Sequence, residues 1–168
     1  MPGQNLQCLK QDSRQGDVDT NVVQKLETYM QGFISAINAR NFDLSSEAWS
    51  YTDSSFKGEA ERPPGASHLA ASGMSDLQSN VDMFRFMAEQ YPDYHIRIFD
   101  LSTEVDHKAG KATMFWNGET SGLPGGMTFP SVGMCDFKLF RGEEWRCTSF
   151  RGARGPGDGV AEAAVGGL

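Results

Sequence analysis

The spacing of apolar residues changes once along this chain, at Pro92, and that change restricts the folds that the sequence can adopt. Before Pro92 the apolar residues recur every three or four positions, which is typical of one face of an amphipathic helix. After Pro92 they occur in extended runs of strand type, separated by short turn sequences. Helices followed by consecutive strands predict an α+β domain, in which the helices pack on one face of a sheet.

The half of the chain before Pro92 is predicted to form three helices. The first covers residues 21–40, a short second one lies within 43–49, and the third covers 75–91. Residues 57–74 contain two prolines and several glycines and serines, so they are predicted to form a loop. The buried face of the first helix is predicted to consist of Val22, Leu26, Tyr29, Met30, Phe33, Ile34 and Ile37.

The half after Pro92 contains four runs of strand type, at 93–106, 110–120, 127–140 and 144–151. Their short links allow only antiparallel pairing between consecutive strands. Strands of this length must twist or bend, and a bulge near Asp100 is one place where the faces of the first strand can exchange. The sequence therefore predicts a curled antiparallel sheet that wraps over the helices and leaves a hollow between them.

The length of 168 residues fits one folded domain, predicted over residues 20–151. Residues 1–19 are polar and aperiodic, and residues 152–168 consist mostly of glycine, alanine and small polar groups. Both ends are predicted to be flexible tails.

Charge and cysteine content narrow the partners and the compartment. The formal net charge of -7 argues against a nucleic-acid partner and against an acidic membrane surface, because both bind clusters of Lys and Arg. No run of about 18 apolar residues predicts a membrane span, and no secretory signal is recognised at the N-terminus. Three widely spaced cysteines, with no CxxC pair, favour a reducing compartment, so a cytoplasmic protein is expected.

Three sequence stretches resemble the nuclear transport factor 2-like superfamily, and within it the SnoaL-like small proteins. They are "AINARNFD" at the end of the first helix, "GETSGLPGG" between two long strands, and "FKLFRGEEWRCTSF" in the last hairpin. The resemblance implies a cone-shaped, cystatin-like α+β barrel with a pocket between the curled sheet and the long helix. Such proteins include polyketide cyclases, ketosteroid isomerases, scytalone dehydratase and members without catalysis.

In one respect the chain departs from that family. SnoaL-type cyclases carry a catalytic aspartate near the end of the last strand, whereas this strand contains no acid after Glu144. An aldol cyclase that uses that aspartate is therefore not predicted.

Four residues are predicted candidates for acid–base catalysis. His95 shares a strand face with Arg97 and is expected to point into the cone, where its imidazole can transfer protons near neutral pH. The alternative is that His95 faces solvent or a dimer partner. Tyr51 can donate a hydrogen bond to a developing enolate oxygen, with Asp53 as the base, unless the two only pack at the rim. Asp136 lies in mid-strand and needs a partner if buried, which a cross-strand ion pair with Arg146 also explains.

Seven further residues are predicted to contact a substrate, since they are apolar or lie at the rim of the expected pocket. Glu119 is also a candidate base, although a solvated rim carboxylate is the simpler interpretation. Arg97 is expected to rest its stem on Phe99 and to keep its charge in water. No metal-ligand spacing or phosphate-binding glycine loop is present, so neither a metal nor a cofactor is predicted. The substrate-contact candidates are Trp49, Phe56, Met114, Trp116, Met134, Phe137 and Glu119.

Two functions follow from these features. The first is a cofactor-independent isomerase, cyclase or dehydratase that acts on a hydrophobic carbonyl compound, such as a polyketide or terpenoid intermediate. The second is a non-catalytic binding module or dimerising scaffold of the same fold. An empty, deep cone with His95 and Asp136 inside favours the enzyme, whereas a filled cone with both residues outward or paired favours the scaffold. A homodimer through the open sheet face is expected in either case.

Overall fold

A long helix, α1 (Leu6–Asn38), forms one layer of the domain in the computed structural model, which describes residues 6–60, 75–126 and 128–154. The predicted apolar face is confirmed, since most of its residues are buried against the sheet. The helix begins upstream of residue 21, so residues 6–19, which were expected to belong to a flexible tail, are helical. Residues 1–5 lie outside the described part of the chain.

Two shorter helical elements complete the helical layer. A 3-10 helix, Glu47–Trp49, occupies the place predicted for a short second helix. Helix α2 (Leu77–Gln90) follows, and its N-cap is Asp76. The Asp76 carboxylate accepts a hydrogen bond from the backbone N–H of Ser79 at 2.9 Å, which satisfies one of the free donors of the first turn.

Five strands form one sheet in the order β1-β5-β4-β3-β2. The antiparallel meander from β2 to β5 was predicted and is confirmed. The edge strand β1 was not predicted, and it pairs with β5 in parallel, so the sheet is mixed. The strands are β1 (Thr52–Ala60), β2 (His95–Asp106), β3 (Lys111–Ser121), β4 (Phe129–Phe140) and β5 (Glu144–Arg154).

The predicted loop over 57–74 was wrong at its start, because residues 57–60 belong to β1, while residues 61–74 lie outside the described part. The last strand continues to Arg154, beyond the predicted boundary at residue 151, and residues 155–168 are likewise outside it. No helix among the described residues has the length and apolar character needed to cross a membrane.

The strand pairing is irregular at three places, and such irregularities are points where a sheet can bend. The register between β2 and β3 shifts between Ile98 and Asp100, which confirms the predicted bulge. Further shifts occur between β4 and β5 and between β1 and β5. The helices cover one face of the bent sheet, here called the inner face, and the opposite face is called the outer face. The buried inner-face residues are Ile96, Ala112, Met114, Trp116, Cys135, Phe137, Trp145 and Phe150.

Candidate functional site

Among the residues that the structure describes, buried side chains pack the space between α1 and the inner face. A void of about 30 Å³ remains there, lined by α1 and by β1, β4 and β5. A space of that size has room for about two water molecules, whereas pockets for small-molecule ligands measure roughly 300–1,000 Å³. Three of the eleven predicted site residues line it, namely Tyr51, Phe56 and Phe137.

Two stacked tyrosines lie beside this void. The rings of Tyr29 and Tyr51 are 3.6 Å apart between centroids and 14° from parallel. The Tyr51 hydroxyl donates a hydrogen bond to a carboxylate oxygen of Glu47 at 3.1 Å. Burial, together with that hydrogen bond, raises the pKa of Tyr51, so its phenol is neutral at physiological pH and keeps its proton to donate.

Neither of the other candidates from this region borders the void. The Asp53 carboxylate accepts hydrogen bonds from the hydroxyl and the backbone N–H of Ser55, and these lower the pKa of Asp53. Trp49 is a core residue: its indole N–H donates to the backbone oxygen of Asn41 at 3.1 Å, and its ring meets Phe33 edge-on. Tyr51 and Asp53 therefore do not line the same cavity. Their roles as hydrogen-bond donor and base stay a prediction.

The prediction that His95 points into the cone is wrong. His95 and Arg97 are exposed on the outer face, and Ile96 between them is buried. The alternation along the strand was predicted correctly, but the face that the helices cover is the one that carries Ile96. Asn38 of α1 binds the backbone of Ile96 through two hydrogen bonds, which orients that residue inward.

Asp136 also lies on the outer face, where its carboxylate has three side-chain partners. It accepts hydrogen bonds from Ser149 Oγ at 2.6 Å and from Thr113 Oγ1 at 3.1 Å. An ion pair links it to Arg151 at 3.6 Å. The predicted partner was wrong, because Arg146 pairs with Glu144 at 2.9 Å instead. A cross-strand ion pair does involve Asp136, although its partner is Arg151. The alternative prediction, that Asp136 lies inside the cone, is not confirmed.

The rim candidates interact with one another on the same outer face. Glu119 forms an ion pair with Arg97 at 2.9 Å between Oε1 and Nε. The Arg97 guanidinium lies over the ring of Phe99 at 4.5 Å from its centroid, so the charged group itself contacts the ring.

The remaining substrate-contact candidates divide between the two faces. Met114 is completely buried, and Trp116 stacks on Phe150 at 6.0 Å between ring centroids. Met134 lines the outer face instead of the cone, so its prediction as a residue of an internal pocket was wrong.

An open groove on the outer face, with a volume of about 710 Å³, is larger than the void inside the cone. Phe115 lies in it with 46% of its surface exposed, beside Met134 and Val132. Glu59 of β1 and Arg151 of β5 contribute one acid and one base to the lining. The sequence signal for this groove was present, since β3 carries large apolar residues on both of its faces.

Comparisons with known proteins identify the fold of the chain through solved structures alone. No family model matches the chain, and no curated protein matches it. Solved structures do match along most of its length. A nuclear transport factor 2-like protein with a cystatin-like fold from Novosphingobium aromaticivorans is 12% identical, with a TM-score of 0.58, over 93% of this chain and 94% of its own. The chain has the nuclear transport factor 2-like fold.

Two further structures with this nuclear transport factor 2-like fold have names that refer to a reaction. A hexachlorocyclohexane dehydrochlorinase from Novosphingobium barchaimii is 13% identical, with a TM-score of 0.62, over 82% of this chain and 90% of its own. A putative ketosteroid isomerase from Shewanella frigidimarina is 8% identical, with a TM-score of 0.54, over 74% of this chain and 91% of its own. Identities this low establish the shared fold and no activity.

Proposed function

We propose that this nuclear transport factor 2-like domain is a non-catalytic dimerising module whose outer sheet face binds a second copy of the chain. The observation that carries the proposal is the groove around Phe115, a side chain that a monomer leaves 46% exposed. His95 on the outer face and Asp136 in its network of partners agree with the scaffold interpretation rather than with an acid–base site inside the cone.

The apolar content of the outer face supports an interface. Phe99 and Phe115 are the large hydrophobic residues with most exposure in the described part of the chain. Removing apolar surface from water contributes about 25 cal/mol per Å², and contiguous exposed apolar patches usually mark interaction sites. A partner that covers Phe115, Val132 and Met134 together therefore stabilises the assembly.

The charges at the groove support a second copy as that partner. Glu59 and Arg151 line the same groove, and Arg151 also pairs with Asp136. A two-fold interface presents one patch to itself, so each acid can meet the base of the other subunit. A surface with both signs is thus complementary to its own copy, although the whole chain has a net charge of -7.

The experiment is a molar-mass measurement by light scattering on the full chain at micromolar concentration. We expect a dimer for the wild type and a monomer for Phe115→Lys, because a buried, unpaired lysine at the interface is costly. Phe99→Lys is the matched control, since Phe99 is more exposed than Phe115 but does not line the groove, and it should remain dimeric. A wild-type monomer contradicts the proposal.

The terminal segment beyond Arg154 provides a second control. Strand β5 ends at Arg154, directly after the groove-lining residues Gly152 and Ala153. Removing residues 155–168 should leave the dimer intact. A wild-type monomer that becomes a dimer after this removal would instead assign the groove to the terminal segment.

A second candidate is the cofactor-free isomerase, cyclase or dehydratase, and Tyr51 is the residue that favours it. Its neutral phenol lines the void, where a substrate carbonyl would need a hydrogen-bond donor. The stacked pair with Tyr29 would have to separate to admit a substrate. Isomerisation of an unconjugated ketosteroid that Tyr51→Phe abolishes and Tyr29→Phe retains would support this candidate over the module.

A further inference from the structure

Three sulfur-containing residues from three different elements surround the void inside the cone, and the Cys147 thiol donates to the Ser149 backbone oxygen at 3.3 Å. Met30 of α1, Cys135 of β4 and Cys147 of β5 all line it. The Cys135 thiol is directed at the Met30 sulfur, with 3.9 Å between Sγ and Sδ. Hydrogen bonding with the neighbouring Cys147 thiol, together with burial, raises the pKa of Cys135. The proposed function uses none of these groups.

The strand register explains why the two thiols are neighbours. Cys147 lies opposite Phe137, and Cys135 is the next inward-facing position on β4. The bulge that follows Cys147 shifts β5 by one residue, so Phe150 lies opposite Cys135. The two cysteines are therefore diagonal neighbours on one face, which places their side chains side by side rather than directly across from each other.

A diagonal arrangement is unfavourable for a disulfide. Diagonal cross-strand neighbours are about 7–8 Å apart, whereas the Cα atoms of a disulfide are usually about 4.4–6.8 Å apart. A metal ion bridges sulfurs at a larger spacing. With metal–sulfur bonds of about 2.3 Å, an ion at the centre of a triangle holds its three sulfurs about 4.0 Å apart. The observed separation of 3.9 Å between Met30 and Cys135 is close to that value.

We propose that Met30, Cys135 and Cys147 bind one monovalent copper ion. Thiolate and thioether ligands are soft, and they select Cu⁺ over the harder divalent ions. Zn²⁺ is disfavoured because it takes four ligands, mostly thiolate, imidazole or carboxylate. Among the described residues that line the void, none is a histidine or a carboxylic acid. Elsewhere in the described segments, no group of three or more His, Cys, Asp or Glu side chains is arranged to hold a metal ion.

Access and proton balance fit such a site. Cys135 is buried and Cys147 is half-buried, so an ion can reach Cys147 first and then Cys135. Binding forms two copper–thiolate bonds and one copper–thioether bond, and both thiols release their protons to solvent. Because binding releases two thiol protons, copper affinity should rise with pH.

The test is an anaerobic titration of the reduced full chain with Cu⁺ in competition with bicinchoninate, a chromogenic Cu⁺ chelator. We expect the wild type to retain one equivalent of copper and to show thiolate-to-copper absorption in the near ultraviolet. Cys147→Ser should lose that equivalent. Met30→Leu keeps the side-chain volume but removes the sulfur, so it should bind more weakly than the wild type. Bound copper should also raise the melting temperature.

Cys8→Ser is the matched control, because it removes the third cysteine of the chain and leaves the proposed ligands. It should retain the full equivalent, and circular dichroism should show that each variant is folded. The proposal is overturned if the wild type yields its copper to the chelator, or if Cys147→Ser or Met30→Leu binds as tightly as the wild type. Loss of copper together with a Cys135–Cys147 disulfide after diamide treatment would assign the pair to thiol oxidation instead.

Discussion

The side-chain amide of Asn38, the last residue of α1, hydrogen-bonds both backbone groups of Ile96 on the edge strand β2. Asn38 Nδ2 donates to the Ile96 oxygen at 2.8 Å, and the Ile96 N–H donates to Asn38 Oδ1 at 2.9 Å. An edge strand presents unpaired backbone groups, which are sites for unwanted strand pairing. Asn38 satisfies two of them and ties the end of the helix to the sheet.

Replacing Asn38 by Leu should destabilise the domain, because it leaves both backbone groups of Ile96 without partners. The expected loss is about 1–3 kcal/mol per group in free energy of unfolding, measured by urea denaturation at one protein concentration. Asn41→Ala is the control, since the Asn41 side chain makes one exposed contact of 3.3 Å to the Asp43 N–H. It should change stability by about 0.5 kcal/mol or less. Equal effects of the two variants would contradict the role of Asn38.

The packing of Trp116 requires a glycine at position 133. A Cβ added to Gly133 would lie 2.3 Å from two carbons of the Trp116 indole and 2.4 Å from the backbone oxygen of Arg151. Neither neighbour can move freely, because the ring is buried against Phe150 and the oxygen belongs to β5. Gly133→Ala should therefore cost about 1–3 kcal/mol of stability.

The matched control for that substitution is Gly32→Ala. Gly32 lies inside α1, and a Cβ built there meets no atom within 4 Å. Alanine in a helix is more favourable than glycine by about 0.8–1.0 kcal/mol, so this variant should be more stable than the wild type. Thermal denaturation of both variants should therefore give melting-temperature shifts of opposite sign. A destabilising effect of Gly32→Ala equal to that of Gly133→Ala would contradict the packing argument.

Buried Tyr94 should make the domain sensitive to alkali. Burial raises the pKa of Tyr94 well above its ordinary value of 10.0. The folded state therefore keeps this phenol protonated where the unfolded state ionises. Its contribution to stability is fully present below pH 10 and is lost as pH rises toward the folded pKa. Over that interval the free energy of unfolding should fall by about 1.4 kcal/mol per pH unit.

Tyr94→Phe should remove this alkaline loss, because phenylalanine has no proton to release. Urea denaturation of the wild type and the variant at pH 7 and pH 11 measures it. The difference between the two proteins should shift in favour of the variant as pH rises. A constant difference between the two pH values would mean that Tyr94 does not cause the loss.

The sequence predicted which residues share a strand face, but not which face the helices cover. Alternation correctly grouped His95 with Arg97 and separated both from Ile96. The covered face is determined by a contact between residues 58 positions apart, the pair Asn38 and Ile96. Local periodicity carries no information about such a contact, so the assignment of His95 to the cone failed while the strand itself was found.

Strand β1 was missed for a different physical reason. Its sequence, TDSSFKGEA, contains one large apolar residue, Phe56, and small polar residues of low strand propensity. It is a strand because β5 supplies parallel backbone partners along its second half, from Lys57↔Ser149 onward. Tertiary pairing therefore overrides a weak local preference here, and the same pairing brings Phe56 to the void and Glu59 to the outer groove.

Asp136 should stabilise the folded domain through its hydrogen bond with Ser149. This pair therefore tests whether Asp136 has a structural role. Ser149 is buried at 7% exposure, and its hydroxyl donates to Asp136 Oδ2 at 2.6 Å. Asp136→Ala leaves that hydroxyl without this acceptor and leaves Thr113 and Arg151 without a partner in the network. Because hydrogen bonds to charged groups contribute about 1.5–3 kcal/mol, each single variant should be clearly destabilised.

A double-mutant cycle isolates the contribution of that contact. Asp136→Ala, Ser149→Ala and the double variant are compared by urea denaturation, and the double variant should lose less stability than the sum of the two singles, by about 0.5–3 kcal/mol. Glu119→Gln is the control, since its ion pair with Arg97 is partly exposed to solvent and should contribute about 0–1 kcal/mol. Additive losses in the cycle would mean that the hydroxyl and the carboxylate do not stabilise each other. Asp136 would then need another explanation for its place in the middle of a strand, and a role in binding at the outer groove would be the next to test.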